Sequence, residues 1–205
     1  YDRTVVQAID YQSLVAKTSR EMRVGLKAEW VYDHSRFITE NIYFGTRGKI
    51  WLEYYQGVLN NKQNLFVFGL DFRDYRKLFK TLIWANRIAF STSFGQQKLV
   101  YYMGGVDSWV GAKFNRDVET DPKQNYAYQT LATNMRGFRQ NIRNGNTFAV
   151  INSEIRFPFV QVLSPRPVQS SFLRHLQLVV FGDIGSAWSG WNPWSKDNLF
   201  YKKTI

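Results

Sequence analysis

Few side chains in this sequence could carry out acid–base or metal chemistry. The chain has no cysteine and only two histidines, His34 and His175, which do not form a metal-spaced pair. It contains neither a Gly-x-Ser-x-Gly nucleophile elbow nor a phosphate-binding loop. The carboxylates Glu154 and Asp183 could act as the acid pair of a glycosidase. With so few candidates, we expect no enzymatic activity, no cofactor and no bound metal.

A second group of residues indicates a structural role. An Arg-Gly-Phe tip at residues 136–138 precedes a turn signal at Asn144-Gly145. An alternating strand follows at once and carries one acidic residue, Glu154, in its middle. A membrane-facing strand has little use for a carboxylate unless its other face lines an enclosed, polar space. These residues therefore indicate an outer-membrane β-barrel.

The composition is compatible with that location. The chain has 205 residues, of which 17% are aromatic, and a formal net charge of +11. No run of about 18 apolar residues exists, which excludes a transmembrane helix but not barrel strands, whose hydropathy signal is weak. The basic charge could suit nucleic acid or anionic lipid, but no recognition motif accompanies it, so we expect no nucleic-acid partner. Because the first residue is Tyr1 and no signal peptide is recognisable, we expect a processed or partial chain.

Period-two alternation predicts six strands, whereas helical periodicity is poor. We expect a single partial barrel domain over residues 1–205, with strands at about 22–33, 40–57, 64–74, 80–95, 147–160 and 173–188. Residues 96–146 are predicted to form one long loop, and residues 34–40 and 74–80 short turns. Residues 1–20 are ambiguous and compatible with a loop that contains a short helix. Because outer-membrane barrels have long extracellular loops, the long loop should be extracellular or folded back into the barrel.

Each predicted strand has one apolar and one polar face. The apolar faces carry no charge, as lipid contact requires, because an Arg or Lys at the bilayer midplane costs roughly 2–4 kcal/mol. Aromatic residues near their ends are expected to form an interfacial, lipid-facing girdle: Trp30, Tyr32, Tyr54, Trp84, Phe94 and Trp188. The polar faces have nearly balanced charge and are expected to line the lumen, through Arg23, Lys27, Glu29, Arg47, Lys49, Glu53, Asp71, Arg73, Arg87, Asn152 and Arg156.

A soluble β-sandwich also alternates apolar and polar positions and is the alternative fold. Several predicted strands reach about ten residues, the length that spans a bilayer when tilted, which favours the barrel. Because the smallest bacterial membrane barrels have about eight strands, six strands can form only part of one. The predicted fold is therefore all-β, part of a transmembrane antiparallel barrel with a long loop inserted in its lumen.

Four segments, in this order, resemble the C-terminal half of the outer-membrane protein 85 superfamily, the surface-antigen or Bam-type barrels. They are Tyr-Tyr-Met-Gly-Gly-Val-Asp at 101–107, Met-Arg-Gly-Phe at 135–138, Asn-Ser-Glu-Ile-Arg-Phe at 152–157 and Val-Phe-Gly-Asp-Ile-Gly-Ser-Ala-Trp at 180–188. In the family they correspond to the start of the sixth loop, its tip and the two following strands. The sequence is most similar to Bacteroidota members that carry periplasmic propeller-like domains. The resemblance implies a barrel of about sixteen strands, of which this chain supplies about six.

The resemblance also implies roles for the residues of the loop tip. Arg136 would lie in the lumen and pair with Glu154 and Asp183, since a planar guanidinium suits two carboxylates as a lysine does not. Gly137 would allow the backbone to turn sharply beside the barrel wall. Phe138 would pack against side chains of the lumen. Together these residues would latch the loop inside the barrel.

The function implied by the resemblance is protein or lipid translocation, or membrane assembly, in the outer membrane of a Gram-negative bacterium. Its partners would be outer-membrane lipid and lipopolysaccharide, together with a protein substrate or other subunits of an outer-membrane complex. Two alternatives stay open. One is a structural or scaffold barrel within a larger complex, without transport activity. The other is a soluble basic β-protein that binds a polyanion or a glycan.

Overall fold

The computed structural model describes residues 22–39, 42–58, 62–79, 82–106, 113–164, 169–174, 176–195 and 198. The expectations for residues 1–20 and for His175 fall outside these ranges. Among the described residues, no helix is long and apolar enough to cross a membrane. The elements are β1 (Met22–Asp33), β2 (Arg36–Thr39), β3 (Ile42–Val58), β4 (Asn64–Phe79), β5 (Leu82–Phe94), β6 (Lys98–Met103), β7 (Tyr126–Leu131), β8 (Arg143–Gly145), β9 (Thr147–Phe157), α1 (Phe159–Leu163), α2 (Ser171–Arg174) and β10 (Leu178–Trp188).

Seven of these strands form one antiparallel sheet, the large sheet, in the order β1-β3-β4-β5-β9-β10, with β2 paired to β3. The prediction of an all-β, antiparallel fold is confirmed. In the described part of the chain β1 and β10 are the edges of this sheet, and no closed barrel forms. Closure into a barrel therefore stays a prediction.

Several predicted connections are wrong in detail. Residues 34–40, predicted as a turn, contain β2, which pairs back on the first residues of β3. The predicted turn at 74–80 is mostly strand, because β4 continues to Phe79. The strand predicted at 147–160 ends at Phe157, where Pro158 has no N–H to donate to a ladder. β10 begins only at Leu178, so α1 and α2 occupy the connection before it.

The long loop predicted at 96–146 has a fold of its own. It contains a second sheet, the loop sheet, in the order β7-β6-β8, in which β6 and β7 run parallel. Asn144 and Gly145, predicted as a turn, lie in β8. The glycine is needed there for close approach, because a Cβ on Gly145 would lie 2.1 Å from the main chain of Trp188.

The strand register confirms the two predicted faces of the large sheet. One row of directly paired residues runs across it: Tyr32, Gly48, Phe72, Ile88, Ile151 and Ile184. The apolar positions of all six strands therefore share one face, which we call the outer face. The charged positions predicted to line the lumen share the opposite, inner face, on which the loop sheet packs. A slip of one residue would exchange the two faces, so the alternation itself specifies this register.

The main hydrophobic core lies between the inner face and the loop sheet. The large sheet contributes Leu65, Val67, Ala89, Phe148, Val150 and Ala187, and the loop contributes Leu99, Tyr101, Met103, Ala127 and Met135. The prediction that the inner face is polar along its whole length is therefore wrong. It is apolar near the loop sheet and charged beyond it. The outer face has no such cover, and Leu26, Val180 and Ile184 are 77%, 62% and 75% exposed.

Candidate functional site: an arginine held between the loop and two strands

The loop tip is fixed by a short backbone pairing. The N–H of Met135 donates to the carbonyl oxygen of Gly105, and the N–H of Gly105 donates to that of Phe138, both at 3.0 Å. Gly104 and Gly105 have φ of +110° and +82°, a region that favours glycine. A Cβ on Gly104 would also lie 2.1 Å from the carbonyl oxygen of Arg139. The Gly-Gly and Arg-Gly-Phe segments thus meet through backbone contacts that require glycine.

Arg136 follows this pairing and binds carboxylates from two adjacent strands. Its Nε and Nη2 donate to the two oxygens of Asp183 on β10 at 2.8 and 2.7 Å. Its Nη1 donates to Oε1 of Glu154 on β9. Its backbone N–H donates to Asp183 Oδ2 at 2.8 Å. The structure therefore brings together the three residues that the family resemblance pairs.

Two inner-face neighbours complete the hydrogen bonding of these carboxylates. Asn152 donates from Nδ2 to Asp183 Oδ1 at 2.9 Å and to the carbonyl oxygen of Asn134 in the loop at 3.1 Å. Arg156 donates from Nε to Glu154 Oε2 at 2.8 Å. All four carboxylate oxygens thus accept from a donor. We call Arg136, Glu154, Asp183, Asn152 and Arg156 the latch.

Phe181 belongs to this site and was missed by the sequence reasoning. Its ring lies under the guanidinium of Arg136, with 3.9 Å from Cζ to the ring centroid, a cation–π geometry. The sequence does carry a signal for it. Phe181 lies two residues before Asp183 in the same strand, so both side chains point to the same face.

The latch is partly dehydrated, which decides what chemistry it can perform. The side chain of Asp183 is 1% exposed, and those of Arg136 and Glu154 are 22% and 18% exposed. The hydrogen bonds that Arg136 donates to the carboxylates of Asp183 and Glu154 raise the pKa of its guanidinium above its usual range. All four oxygens of the two carboxylates already accept hydrogen bonds from protein donors, so neither carboxylate is free to act on a substrate as a glycosidase acid pair does. The arrangement is instead suited to holding a loop in place.

Four of the predicted lumen-lining charges on β1 and β3 form ion pairs with one another. Lys27 lies 3.1 Å from Glu29 and 3.2 Å from Glu53, and Lys49 lies 3.0 Å from Glu29. The two lysine side chains are 46% and 41% exposed, so each pair contributes little to stability. Arg47 instead packs against aromatic rings, with its guanidinium carbon 5.8 Å and 6.0 Å from two tyrosine ring centroids.

The remaining inner-face arginines attach the loop at two further points. Arg87 on β5 binds Asp71 on β4 and also donates from Nη1 to Thr133 Oγ1 in the loop at 2.7 Å. Asp71 also accepts from Arg73 at 2.8 Å. Arg23 on β1 donates to Oε1 of the buried Gln97 at 2.7 Å. Thr133 and Gln97 were not predicted as site residues, because nothing in their local sequence indicates these long-range contacts.

Most of the predicted girdle lies exposed or half-buried on the outer face. Trp30 and Tyr32 are 62% and 47% exposed and stack at a centroid distance of 6.3 Å. Trp84 is exposed and donates from Nε1 to Ser153 Oγ at 2.9 Å. Tyr54 and Phe94 are half-buried and pack on either side of Phe66, at 4.7 and 5.3 Å between ring centroids.

One predicted orientation is wrong. Trp188 is buried, at 8% exposure, and so cannot face lipid. The chain after β10 turns back over this end of the sheet, where the N–H of Gly190 donates to Asn146 Oδ1 at 2.7 Å. Phe138 is 41% exposed, and its packing against lumen side chains stays a prediction. Gly137, between Arg136 and Phe138, has φ of +84°, as a sharp turn requires.

The other candidates for chemistry do not assemble a site in the described residues. His34 is exposed in the turn after β1, where the neighbouring Ser35 binds Asp33 through both its N–H and its hydroxyl. The described part of the chain contains no group of three His, Asp or Glu side chains that could hold a metal ion. No protein-family model and no curated protein matches this chain.

Proposed function

We propose that this chain is part of a surface-antigen-type β-barrel in the outer membrane of a Gram-negative bacterium, serving protein or lipid translocation or outer-membrane assembly. The inner face lines the lumen, the outer face contacts lipid, and the latch holds the loop inside. One observation carries the proposal. A loop arginine is bound by carboxylates of two adjacent strands, Glu154 and Asp183, in the motif order that resembles the superfamily.

The outer face supports a membrane location. Its exposed side chains include Leu26, Ile50, Ile88, Ile151 and Ile184, which belong to five different strands. Soluble monomers rarely expose contiguous apolar patches larger than about a few hundred Å². A lipid-facing wall needs such a surface, whereas a soluble β-protein would have to bury it against another layer.

The pairing of the inner-face charges argues against a polyanion-binding protein. Lys27, Lys49, Arg73, Arg87 and Arg156 each lie in an ion pair with a carboxylate of the same face. A polyanion would have to displace these carboxylates before it could reach the cations. Charges paired in this way are typical of a hydrated, nearly neutral lumen.

A scaffold barrel without transport activity is the second candidate, and the hydrophobic core favours it. Met103, Tyr101 and Leu99 of the loop sheet are at most 4% exposed against the inner face. Opening the lumen along this side would expose that core to water. A barrel whose loop never leaves would hold partner subunits without passing a substrate.

The test uses the full-length protein in its own outer membrane. We expect it to fractionate with the membrane, to need detergent for extraction, and to migrate on gels in a heat-modifiable way. Recovery from the soluble fraction without detergent would refute the membrane proposal. Depletion, followed by a census of outer-membrane proteins and lipids, then distinguishes assembly or translocation from scaffolding. In the scaffold case other proteins and lipids stay at normal levels while one complex falls apart.

A further inference from the structure

Three arginines lie side by side in one row across the inner face. Arg47 on β3 lies directly opposite Arg73 on β4, and Arg73 lies directly opposite Arg87 on β5. Directly opposite residues of an antiparallel pair have Cβ atoms about 4.5–5.5 Å apart, and like charges at such positions destabilise a sheet. We call these three residues the arginine row. The row requires negative charge close to its guanidinium groups.

One carboxylate, that of Asp71, binds two members of the arginine row. Arg73 donates to it from Nε and Nη2 at 2.8 and 3.2 Å, and Arg87 donates from Nε at 2.9 Å. Arg87 also donates from Nη1 to Thr133 of the loop. Asp71 therefore separates Arg73 from Arg87 on one side of the row. Because Asp71 takes only Nε and Nη2 of Arg73, the Nη1 of Arg73 can donate to a ligand.

Arg47 is the member of the row that no carboxylate binds. Within the described part of the chain it forms no ion pair, and its guanidinium carbon lies 5.8 and 6.0 Å from the ring centroids of Tyr43 and Tyr75. Asp33 is opposite Arg47 on β1. The Asp33 carboxylate, however, accepts from the N–H and the hydroxyl of Ser35 at 2.8 and 2.6 Å. The five N–H donors of Arg47 therefore face a site without a bound carboxylate.

The charge groups on either side of the arginine row are balanced. The latch joins two arginines to two carboxylates, and the ion pairs on β1 and β3 join two lysines to two glutamates. The row has three guanidinium groups and one bound carboxylate, which leaves two positive charges. The charge of Asp33, at the end of the row, reduces this surplus to one at most. The positive surplus of this part of the inner face is therefore concentrated at Arg47 and Arg73.

The arginine row lies between two apolar clusters. Along the inner face of β5, Arg87 is flanked by Ala89, which belongs to the main core, and by Ala85, which belongs to a smaller cluster around Tyr75. The side chains of Arg73 and Arg87 are 32% and 25% exposed. Unbalanced charge costs more in such partly dehydrated surroundings than in bulk water. The guanidinium groups are nevertheless exposed enough for a small solute to reach them.

We propose that Arg47 and Arg73 bind one phosphate group, free or esterified, on the inner face of the large sheet. A guanidinium presents a planar fork of donors that matches the oxygens of a phosphate. At neutral pH a phosphate monoester carries a charge of about −1.5 to −2, which matches the surplus of the row better than a single carboxylate would. The site takes one group and not a polyanion, because the neighbouring cations are already paired. This binding site goes beyond the proposed function and does not depend on the membrane location.

Calorimetric titration of the full-length protein with inorganic phosphate, at constant ionic strength, tests the site. We expect saturable binding of one phosphate by the parent, at least about tenfold weaker binding by Arg47→Gln, and intermediate binding by Arg47→Lys. Arg76→Gln is the matched control, because it removes the same charge from β4 on the outer face, where Arg76 binds Asp74 at 2.7 Å. This control should bind phosphate like the parent. Acetate, with a single charge, should bind more weakly than phosphate.

Thermal unfolding separates binding from a structural role of Arg47. Without phosphate, Arg47→Gln should unfold at the same temperature as the parent or above it, because the substitution removes a like-charge contact. Phosphate should then raise the midpoint of the parent and of Arg76→Gln but not that of Arg47→Gln. If Arg47→Gln does not fold, Arg47→Lys supplies the same comparison, with a smaller rise than in the parent.

Three results would overturn the proposal. The first is the absence of saturable phosphate binding by the parent. The second is equal stabilisation of the parent and of Arg47→Gln, which would indicate a general ion effect. The third is a lower midpoint of Arg47→Gln in both buffers with unchanged phosphate affinity, which would limit Arg47 to packing on the two tyrosine rings. Tighter binding of glycerol phosphate than of inorganic phosphate would support the site with an esterified occupant, and the reverse order would support it with the free ion.

Discussion

Replacing Arg136 by alanine should loosen the loop tip without unfolding the sheet. The substitution removes three side-chain hydrogen bonds to Asp183 and Glu154. Breaking a buried ion pair costs about 3–5 kcal/mol when one charge is left unpaired. Here Asp183 keeps the donors from Asn152 and from the backbone of residue 136, and Glu154 keeps Arg156. We therefore expect a smaller loss of about 2–3 kcal/mol in the free energy of local opening.

Native-state hydrogen exchange of the full-length protein measures this loss directly. The amides of Met135, Gly105 and Gln140 report the tip, because each donates to a backbone carbonyl within the loop. A loss of about 2–3 kcal/mol should make them exchange roughly 30- to 150-fold faster. Arg136→Lys should be intermediate, since an ammonium keeps the charge but cannot bind Asp183 with a planar fork.

Arg139→Ala is the matched control, because this neighbouring arginine is exposed and forms no ion pair within the described part of the chain. It should leave the three tip amides unchanged. Equal acceleration in the two alanine variants would mean that net loop charge, and not the latch, holds the tip. Unchanged exchange in Arg136→Ala would refute the energetic role of the latch altogether.

Three further predictions concern the residues that support the loop. Gly104→Ala should destabilise the loop by at least about 2 kcal/mol in thermal unfolding, because the φ of Gly104 is +110° and a Cβ would meet a backbone oxygen at 2.1 Å. The control variant Gly182→Ala should have a smaller effect, because the space around Gly182 is open. Phe181→Leu should remove the ring under Arg136 and weaken tip protection by about 0.5–1 kcal/mol, measured by the same amide exchange. Burial raises the pKa of Tyr126 from 10.0 to about 12, so the neutral phenol stabilises the fold below pH 10, and this contribution should fall as the pH rises toward 12. Thermal unfolding as a function of pH should show that loss in the parent protein and not in Tyr126→Phe.

The sequence predicts the large sheet well because most of its strands alternate apolar and polar residues over part of their length. In β1 and β3 apolar side chains of the uncovered outer face alternate with charged side chains at several inner positions, so the period of two is plain. Where the inner face is covered, the alternation disappears. Residues 65–68 read Leu-Phe-Val-Phe and residues 148–151 read Phe-Ala-Val-Ile, continuous apolar runs typical of strands buried on both faces. These runs lie opposite the loop sheet, which could have been expected from them.

The loop sheet could not be predicted by the same means. β6 and β7 pair in parallel although more than twenty residues separate them, and β8 pairs through only three residues. Neither contact leaves a local pattern. The contacts of the latch could be predicted from the sequence, but for a different reason. Its partners lie far apart along the chain, and only the ordered resemblance of four segments indicated that Arg136 should meet Glu154 and Asp183.

The loop is held by two attachments of different kinds and different strength. Leu99, Tyr101, Met103, Ala127 and Met135 bury apolar surface against the inner face, which contributes on the order of 10 kcal/mol. The latch contributes about 2–3 kcal/mol by the estimate above. Burial is non-directional and would tolerate small shifts of the loop, whereas a guanidinium bound by two carboxylates fixes one position and orientation. The core therefore keeps the loop on the inner face of the large sheet and the latch sets its register, so tip amides should respond to Arg136 while amides of β6 should not. Equal loosening of both sets in Arg136→Ala would mean that the two attachments form a single cooperative unit.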